Sequence, residues 1–243
     1  MNILKLASVA KDFYDGSRTR RVLQPTDLIL APGELTLLAG PSGSGKTTLL
    51  TIMGLILKPT QGILNLFDKD VTGFQEDQLA SLRLNHYGFV FQFSALIPAL
   101  SALENILLAT GAHGTSIAPS KIEKARNLLR LLRLEDIENI KTDRLSGGEK
   151  QRIAIARALI NDPDIILCDE PTSSLDEESS NIVINELKAL SKDPNRIVVL
   201  STHDSRVFPY ADRLIKMENG YIVADLRGKE MKKEVEKSNG SEV

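Results

Sequence analysis

The segment that most restricts how this chain can fold is Gly40-Pro41-Ser42-Gly43-Ser44-Gly45-Lys46-Thr47. Before it, Leu35-Thr36-Leu37-Leu38-Ala39 reads as a short buried strand; after it, Thr48-Leu49-Leu50-Thr51-Ile52-Met53 begins a helix. Gly40, Gly43 and Gly45 permit dihedrals closed to other residues and a close approach of backbone to ligand. The N–H groups of such a loop converge at a helix N-terminus, where the helix dipole adds to the attraction for an anion. The pattern G-x-x-x-x-G-K-[ST] places Lys46 to reach the β- and γ-phosphates of a nucleotide and the Thr47 hydroxyl to ligate Mg²⁺. Strand, loop and helix in this order call for an α/β core, with residues 40–47 and the adjoining Thr48 as the candidate phosphate site.

The remainder of the chain can supply that core. Its 243 residues have room for one large domain or two small ones, and 42% are hydrophobic. Lys+Arg 30 against Asp+Glu 32 leaves a net charge of −2, which argues against a nucleic-acid-binding surface. A single cysteine, Cys168, excludes an internal disulfide and suits a reducing compartment; it reads as a small buried hydrophobe. No run approaches the ~20 apolar residues that cross a bilayer. Met1 to Phe13 alternates like a strand and lacks the apolar core of a signal peptide. Action at a membrane would therefore go through a partner, from the cytosolic side.

Along the chain, residues 3–9 and 22–30 read as strands of an early β-rich region, separated by a polar turn at Asp15-Gly16-Ser17. Residues 62–67 and Gly88-Phe89-Val90-Phe91 are also strand-like. From about 100 to 140 the period becomes helical, with Ile122, Ala125, Leu128, Leu129 and Leu132 at three- and four-residue steps. Residues 165–168 and 197–201 are apolar β-branched runs suited to a sheet covered on both faces. From Arg227 onward the charged tail is expected to be frayed.

A second chemical motif closes one of those runs: Ile165-Ile166-Leu167-Cys168-Asp169-Glu170. A buried strand ending in two acids delivers carboxylates to the sheet edge where α/β folds bind ligands. Asp169 would hold Mg²⁺ through water. Glu170, one residue on and pointing differently, would polarise an attacking water.

Leu145-Ser146-Gly147-Gly148-Glu149-Lys150-Gln151-Arg152, about twenty residues before this acid pair, resembles the signature sequence of ATP-binding-cassette (ABC) proteins. Other family elements match in order. Gln92 resembles the Q-loop glutamine, Ser173-Ser174-Leu175-Asp176 the D-loop, and His203 the switch histidine. Phe13, two residues after Lys11, stands where the family has an aromatic that stacks on adenine, with neighbouring Tyr14 as the alternative. The resemblance spans residues 3–225. It implies a P-loop NTPase cassette with a RecA-like core, an antiparallel β subdomain and a helical signature subdomain at about residues 93–160, within a domain of residues 1–226.

The roles implied by the resemblance have physical reasons. Ser146, Gly147, Gly148 and Glu149 open a helix whose N-terminus suits an anion, and in the family they act in trans on the γ-phosphate held by the other subunit. Two ATP molecules would then be held between two cassettes in a symmetric homodimer. Gln92 would touch both the Mg²⁺ site and a partner-facing region. His203 would contact the γ-phosphate and orient the attacking water or Glu170, with Lys46 completing the catalytic set. His86 and His113 match no motif and read as surface residues.

Around Gln92, Phe89-Val90-Phe91-Gln92-Phe93, Leu96-Ile97-Pro98 and Ser101-Ala102-Leu103-Glu104-Asn105-Ile106 resemble the ATPases of the lipoprotein-releasing and macrolide-exporter branch. Ser173-Ser174 departs from that branch, which more often has Gly-Asn there. Phe93, Leu96, Ile97 and Leu100 either form a groove for a partner's helix or pack within the helical subdomain. The implied function is ATP binding and hydrolysis that, through ATP-driven dimerisation, energise transport or mechanotransmission by a separate integral-membrane permease, at the cytoplasmic face of the inner membrane and without direct contact to nucleic acid. The alternatives beside it are a soluble ABC-type ATPase acting on nucleic acid or ribosomes, and a non-transport regulator of a permease-like partner, including a nucleotide-binding module that does not turn over.

Overall fold

The computed structural model describes residues 4–16, 18–111, 117–173 and 175–240. The chain begins with the long strands β1 (Leu4–Asp15) and β2 (Arg18–Leu30), followed by β3 (Leu35–Ala39), α1 (Lys46–Met53), β4 (Gln61–Leu66) and β5 (Lys69–Asp70). Next come α2 (Glu76–His86), β6 (Tyr87–Val90), α3 (Ala102–Leu108), α4 (Pro119–Leu131) and α5 (Gly147–Leu159). The last third holds β7 (Ile165–Asp169), α6 (Glu177–Leu190), β8 (Ile197–Thr202), β9 (Arg213–Glu218), β10 (Tyr221–Arg227) and α7 (Gly228–Gly240).

These strands make two sheets. One is antiparallel, in the order β2-β1-β4-β5. The other runs β10-β9-β3-β8-β7-β6, parallel except for the β9–β10 hairpin. Every residue of β3, β7 and β8 is buried, as the apolar runs require of strands covered on both faces. Their side chains divide by the two-residue period of a strand. Leu35, Leu37, Ile166, Cys168, Val198 and Leu200 enter a core shared with α3, α4, α5 and α6. Leu38, Ile165, Leu167, Ile197 and Val199 enter a second core shared with α1 and the antiparallel sheet. The parallel sheet is thus the middle layer.

The charged tail differs from its sequence reading. Instead of fraying after Arg227, the chain forms α7, with Met231 buried, Val235 packed on the helical core and Lys216 Nζ 2.7 Å from Glu234 Oε1. Met231 and Val235 are four apart and share one helix face; the surrounding Lys and Glu residues obscured that two-residue stripe. Cys168 lies in the core, and burial together with the adjacent Asp169 pushes its thiol pKa well above the ordinary range. His86 is half-buried: its Nδ1 is 2.7 Å from Asp164 Oδ2 and its ring meets Phe67 edge-on. His113 and Ser174 lie outside the described residues.

Candidate active site

β3, β8, β7 and β6 are neighbours, and their C-terminal ends open on one edge of the sheet. β3 runs into the glycine-rich loop and α1, β6 into Gln92, β7 into Asp169 and Glu170, and β8 into His203. Residues separated by up to about 160 positions in sequence are gathered there because parallel strands deliver every C-terminus to the same side.

At two of the loop's glycines a positive φ coincides with a crowded Cβ position. Gly40 has φ 154°, and a Cβ there would lie 2.2 Å from the Met217 carbonyl oxygen. Gly45 has φ 103°, and its Cβ would lie 3.1 Å from the carbonyl oxygen of Val22. Lys46 is buried, and its Nζ donates to the carbonyl oxygens of Gly40 at 2.7 Å and Pro41 at 3.1 Å. The Ser44 hydroxyl is buried with no hydrogen-bond partner among the described residues. A lysine held in a loop that opens on a cleft suits an anionic, oxygen-rich ligand.

The two acids part as their strand position implies. Asp169 is buried; its Oδ2 accepts from Thr47 Oγ1 at 2.8 Å and its Oδ1 from the Ser201 hydroxyl. Glu170 sits just past the strand end with φ 47°, a left-handed backbone held by N–H donation to Ser201 O and Ser201 Oγ, each at 3.1 Å. Its carboxylate lies between two partners. His203 Nδ1 is 3.1 Å from Oε1, and Gln92 Nε2 donates to Oε2 at 3.4 Å.

A cleft of about 550 Å³ joins these groups, lined by Ser42, Gly43 and residues 45–48, by Gln92, Glu170 and His203, and by Phe13, Arg20 and Val22 of the β1–β2 hairpin. Phe13 lines it; Tyr14, 71% exposed, does not. Lys11 Nζ is 5.4 Å from the centroid of the Phe13 ring. Arg20 and Val22 were not among the residues singled out by sequence. The available signal was hairpin register, since Arg20 is the cross-strand partner of Phe13.

Ser146 to Glu149 lie outside this cleft. Ser146 is the N-cap of α5: its Oγ accepts from Glu149 N at 3.3 Å, while Glu149 Oε2 accepts from Ser146 N at 2.8 Å and Oγ at 2.7 Å. These bonds from Ser146 hold the Glu149 carboxyl below the usual carboxylate range. Gly147 borders a second groove of about 610 Å³, together with Gln92, Phe93, Leu96 and Pro98. The apolar quartet divides: Phe93, 83% exposed, and Leu96 line the groove, whereas Ile97 and Leu100 do not. Ile97 and Leu100 belong to a loop fastened by Asn105, a residue whose role the sequence did not reveal. The buried Asn105 amide accepts from Ile97 N at 2.8 Å and reaches the carbonyls of Ile97, Leu100 and Ser101 at 2.9–3.2 Å. α5 grips the start of the same loop through Gln151 to Phe91 O and Arg157 to Ser94 O and Ala95 O. After the acids, Asp176 caps α6 by accepting from Ser179 N at 2.8 Å.

A glycine loop at a helix start, a Thr–Asp pair at its base and a glutamate beside a histidine define a phosphate-loop nucleoside triphosphatase. Residues 23–173 match the family model described as ABC transporter. The chain is 39% identical over 226 residues to the lipoprotein-releasing system ATP-binding protein LolD 1 of Caulobacter vibrioides, covering 93% of this chain and 97% of that protein. It is also 39% identical over 224 residues to the macrolide export ATP-binding/permease protein MacB of Rhodopseudomonas palustris, covering 91% of this chain and 34% of that longer protein. Among solved structures, the dimeric ATP-binding cassette MJ0796, in a post-hydrolysis state bound to ADP and Pi, superposes with a TM-score of 0.87 at 36% identity, covering 92% of this chain and 98% of that one. The chain belongs to the ABC transporter family: it is an ATP-hydrolysing, ATP-binding subunit of a transporter.

Proposed function

We propose that two copies of this chain close over two ATP molecules and that the cycle of closing and hydrolysis drives a separate membrane permease of the lipoprotein-releasing and macrolide-exporter kind. The observation that carries this reading is a division within one subunit. The cleft holds the phosphate loop, Gln92, Glu170 and His203, while Ser146, Gly147 and Gly148, a helix start suited to an anion, face elsewhere. A second copy would bring them to the γ-phosphate, and a two-fold axis would complete both sites alike. The relation to dimeric MJ0796 supports this arrangement.

Within the cleft, Phe13 stacks on adenine and the loop N–H groups and Lys46 hold the phosphates. Thr47 and Asp169 offer hard oxygen donors 2.8 Å apart that fit Mg²⁺, with Gln92 nearby. Among the described residues no three His, Cys, Asp or Glu side chains form a metal cluster, so phosphate and water would supply the other ligands. Bound there, Mg²⁺ would neutralise phosphate charge. Glu170 accepts a proton from the water that attacks the γ-phosphorus, and ADP leaves as the β–γ bridging bond breaks. His203 and Gln92, one at each Glu170 oxygen, fix the carboxylate's direction.

Gln92 reaches Glu170 and also borders the groove with Phe93 and Leu96, so a permease segment in that groove would sense the state of the site. No helix among the described residues is long and apolar enough to cross a membrane. The chain would therefore sit at the cytoplasmic face through its permease. The test is Ser146→Arg: an isolated subunit should bind ATP as wild type does, while turnover falls to background. Loss of binding by the isolated subunit would contradict the in-trans assignment.

A further inference from the structure

We infer that Arg20 is a nucleotide-contacting residue which binds the ribose–α-phosphate part of the ligand and sets the affinity of this cleft for ATP and ADP alike. The inference rests on the nucleotide assignment above and adds a residue to it.

Three positions on the hairpin border the cleft. Val22 lines the cleft, and its carbonyl oxygen abuts Gly45, which seats the strand against the lip of the phosphate loop. Arg20 is two residues earlier in β2, about 7 Å further along the strand; the register slips between Lys11 and Asp12 and leaves Val22 as an extra residue, and both Arg20 and Val22 line the cleft. Phe13 is its cross-strand partner, so the side chains of Arg20 and Phe13 are neighbours on one face. Arg21, on the opposite face, is occupied: its guanidinium makes a two-point pair with Asp12 at 2.7 and 2.8 Å. Arg20 also lines the cleft but forms no ion pair or hydrogen bond among the described residues. Arg20 and Phe13 therefore stand side by side at one level of the hairpin, beyond Val22 and the loop it touches. A nucleotide with its terminal phosphates on the loop and its base on Phe13 brings its sugar and α-phosphate within reach of Arg20, which adjoins Phe13 in the same cleft. A planar guanidinium with no intramolecular partner matches a phosphate with two parallel donors. ATP and ADP share the α-phosphate, so the contact does not distinguish them.

The test is equilibrium binding of ATP and of ADP, each in magnesium buffer, to isolated wild type, Arg20→Ala and Arg20→Lys. Arg20→Ala should weaken both nucleotides by the same factor, roughly three- to tenfold for an exposed charge-assisted contact. Arg20→Lys should recover part of the loss, and the difference between wild type and Arg20→Ala should shrink as salt rises. Thermal unfolding without nucleotide should be unchanged, because the side chain is exposed and unpartnered among the described residues. Unchanged affinity for both nucleotides would overturn the inference. A loss confined to ATP would overturn it too, by moving the contact to the γ-phosphate. A wild-type subunit that bound neither nucleotide would instead overturn the assignment of the cleft.

Discussion

Asn105→Ala tests how the loop after Gln92 is held. The Asn105 amide has two N–H donors and one carbonyl oxygen, so its four contacts amount to three full hydrogen bonds, one donor being shared between carbonyls. At about 1 kcal/mol net each, removal should cost about 3 kcal/mol. Relief comes from Ile97, which is 42% exposed, so water can reach part of the vacated backbone. The expected loss is therefore about 2–3 kcal/mol, a large share of the ~5–15 kcal/mol that a domain has in total. Asn105→Asp is the decisive companion. It keeps the acceptor for Ile97 N but turns an acceptor toward the carbonyls of Ile97, Leu100 and Ser101 in a fully buried position, and should destabilise at least as much as alanine. Urea unfolding followed by circular dichroism, with the slope checked for constancy, measures both variants. A change below about 0.5 kcal/mol for alanine, or an aspartate variant as stable as wild type, would refute the staple.

Two further outcomes follow from the geometry. Phe13→Ala should weaken ATP binding several-fold while Phe13→Trp retains it and Tyr14→Ala changes little, because only Phe13 lines the cleft; equilibrium binding of the three variants checks this. Asp225 accepts from the buried Arg213 at 2.6 and 2.8 Å, and that bond holds its carboxyl below the usual value of 3.8. A depressed carboxyl stabilises the fold above the unfolded pKa, and the contribution fades as pH falls from about 5 through the folded value. Denaturant unfolding should therefore show wild type converging toward Asp225→Asn on acidification below pH ~4 and a constant gap above pH ~5. A gap that widened in acid would be the wrong sign.

Much of the site was legible because its chemistry is carried by short strings at strand ends. An apolar run followed by the glycine loop, or by Asp169-Glu170, announces both the strand and what its end presents. The contact of His203 with Glu170 was expected only through the family resemblance and that of Gln92 with Glu170 was not expected, since both depend on β6, β7 and β8 being adjacent in the sheet, which no local pattern encodes. Arg20 stayed hidden for the same reason: its place beside Phe13 is a matter of hairpin register. α2 carries one buried residue, Leu79, and so no apolar stripe to read. α6 and the β9–β10 hairpin also went unread. In β10, exposed residues alternate with half-buried ones, a weak signal for an edge strand. Asn105 reads as one more polar residue on a helix, because the loop it holds lies outside any local pattern.

The central claim is that ATP closes two copies of the chain around sites neither completes alone. Glu170→Gln removes the proton acceptor while keeping a side chain of the same size. The most direct measurement is the mass of this variant in solution with and without ATP in magnesium buffer. The account requires a monomer without ATP, a stable dimer with it, and hydrolysis reduced by a factor on the order of 10²–10⁴. A variant that stays monomeric at saturating ATP, or that hydrolyses ATP at the wild-type rate, would contradict it.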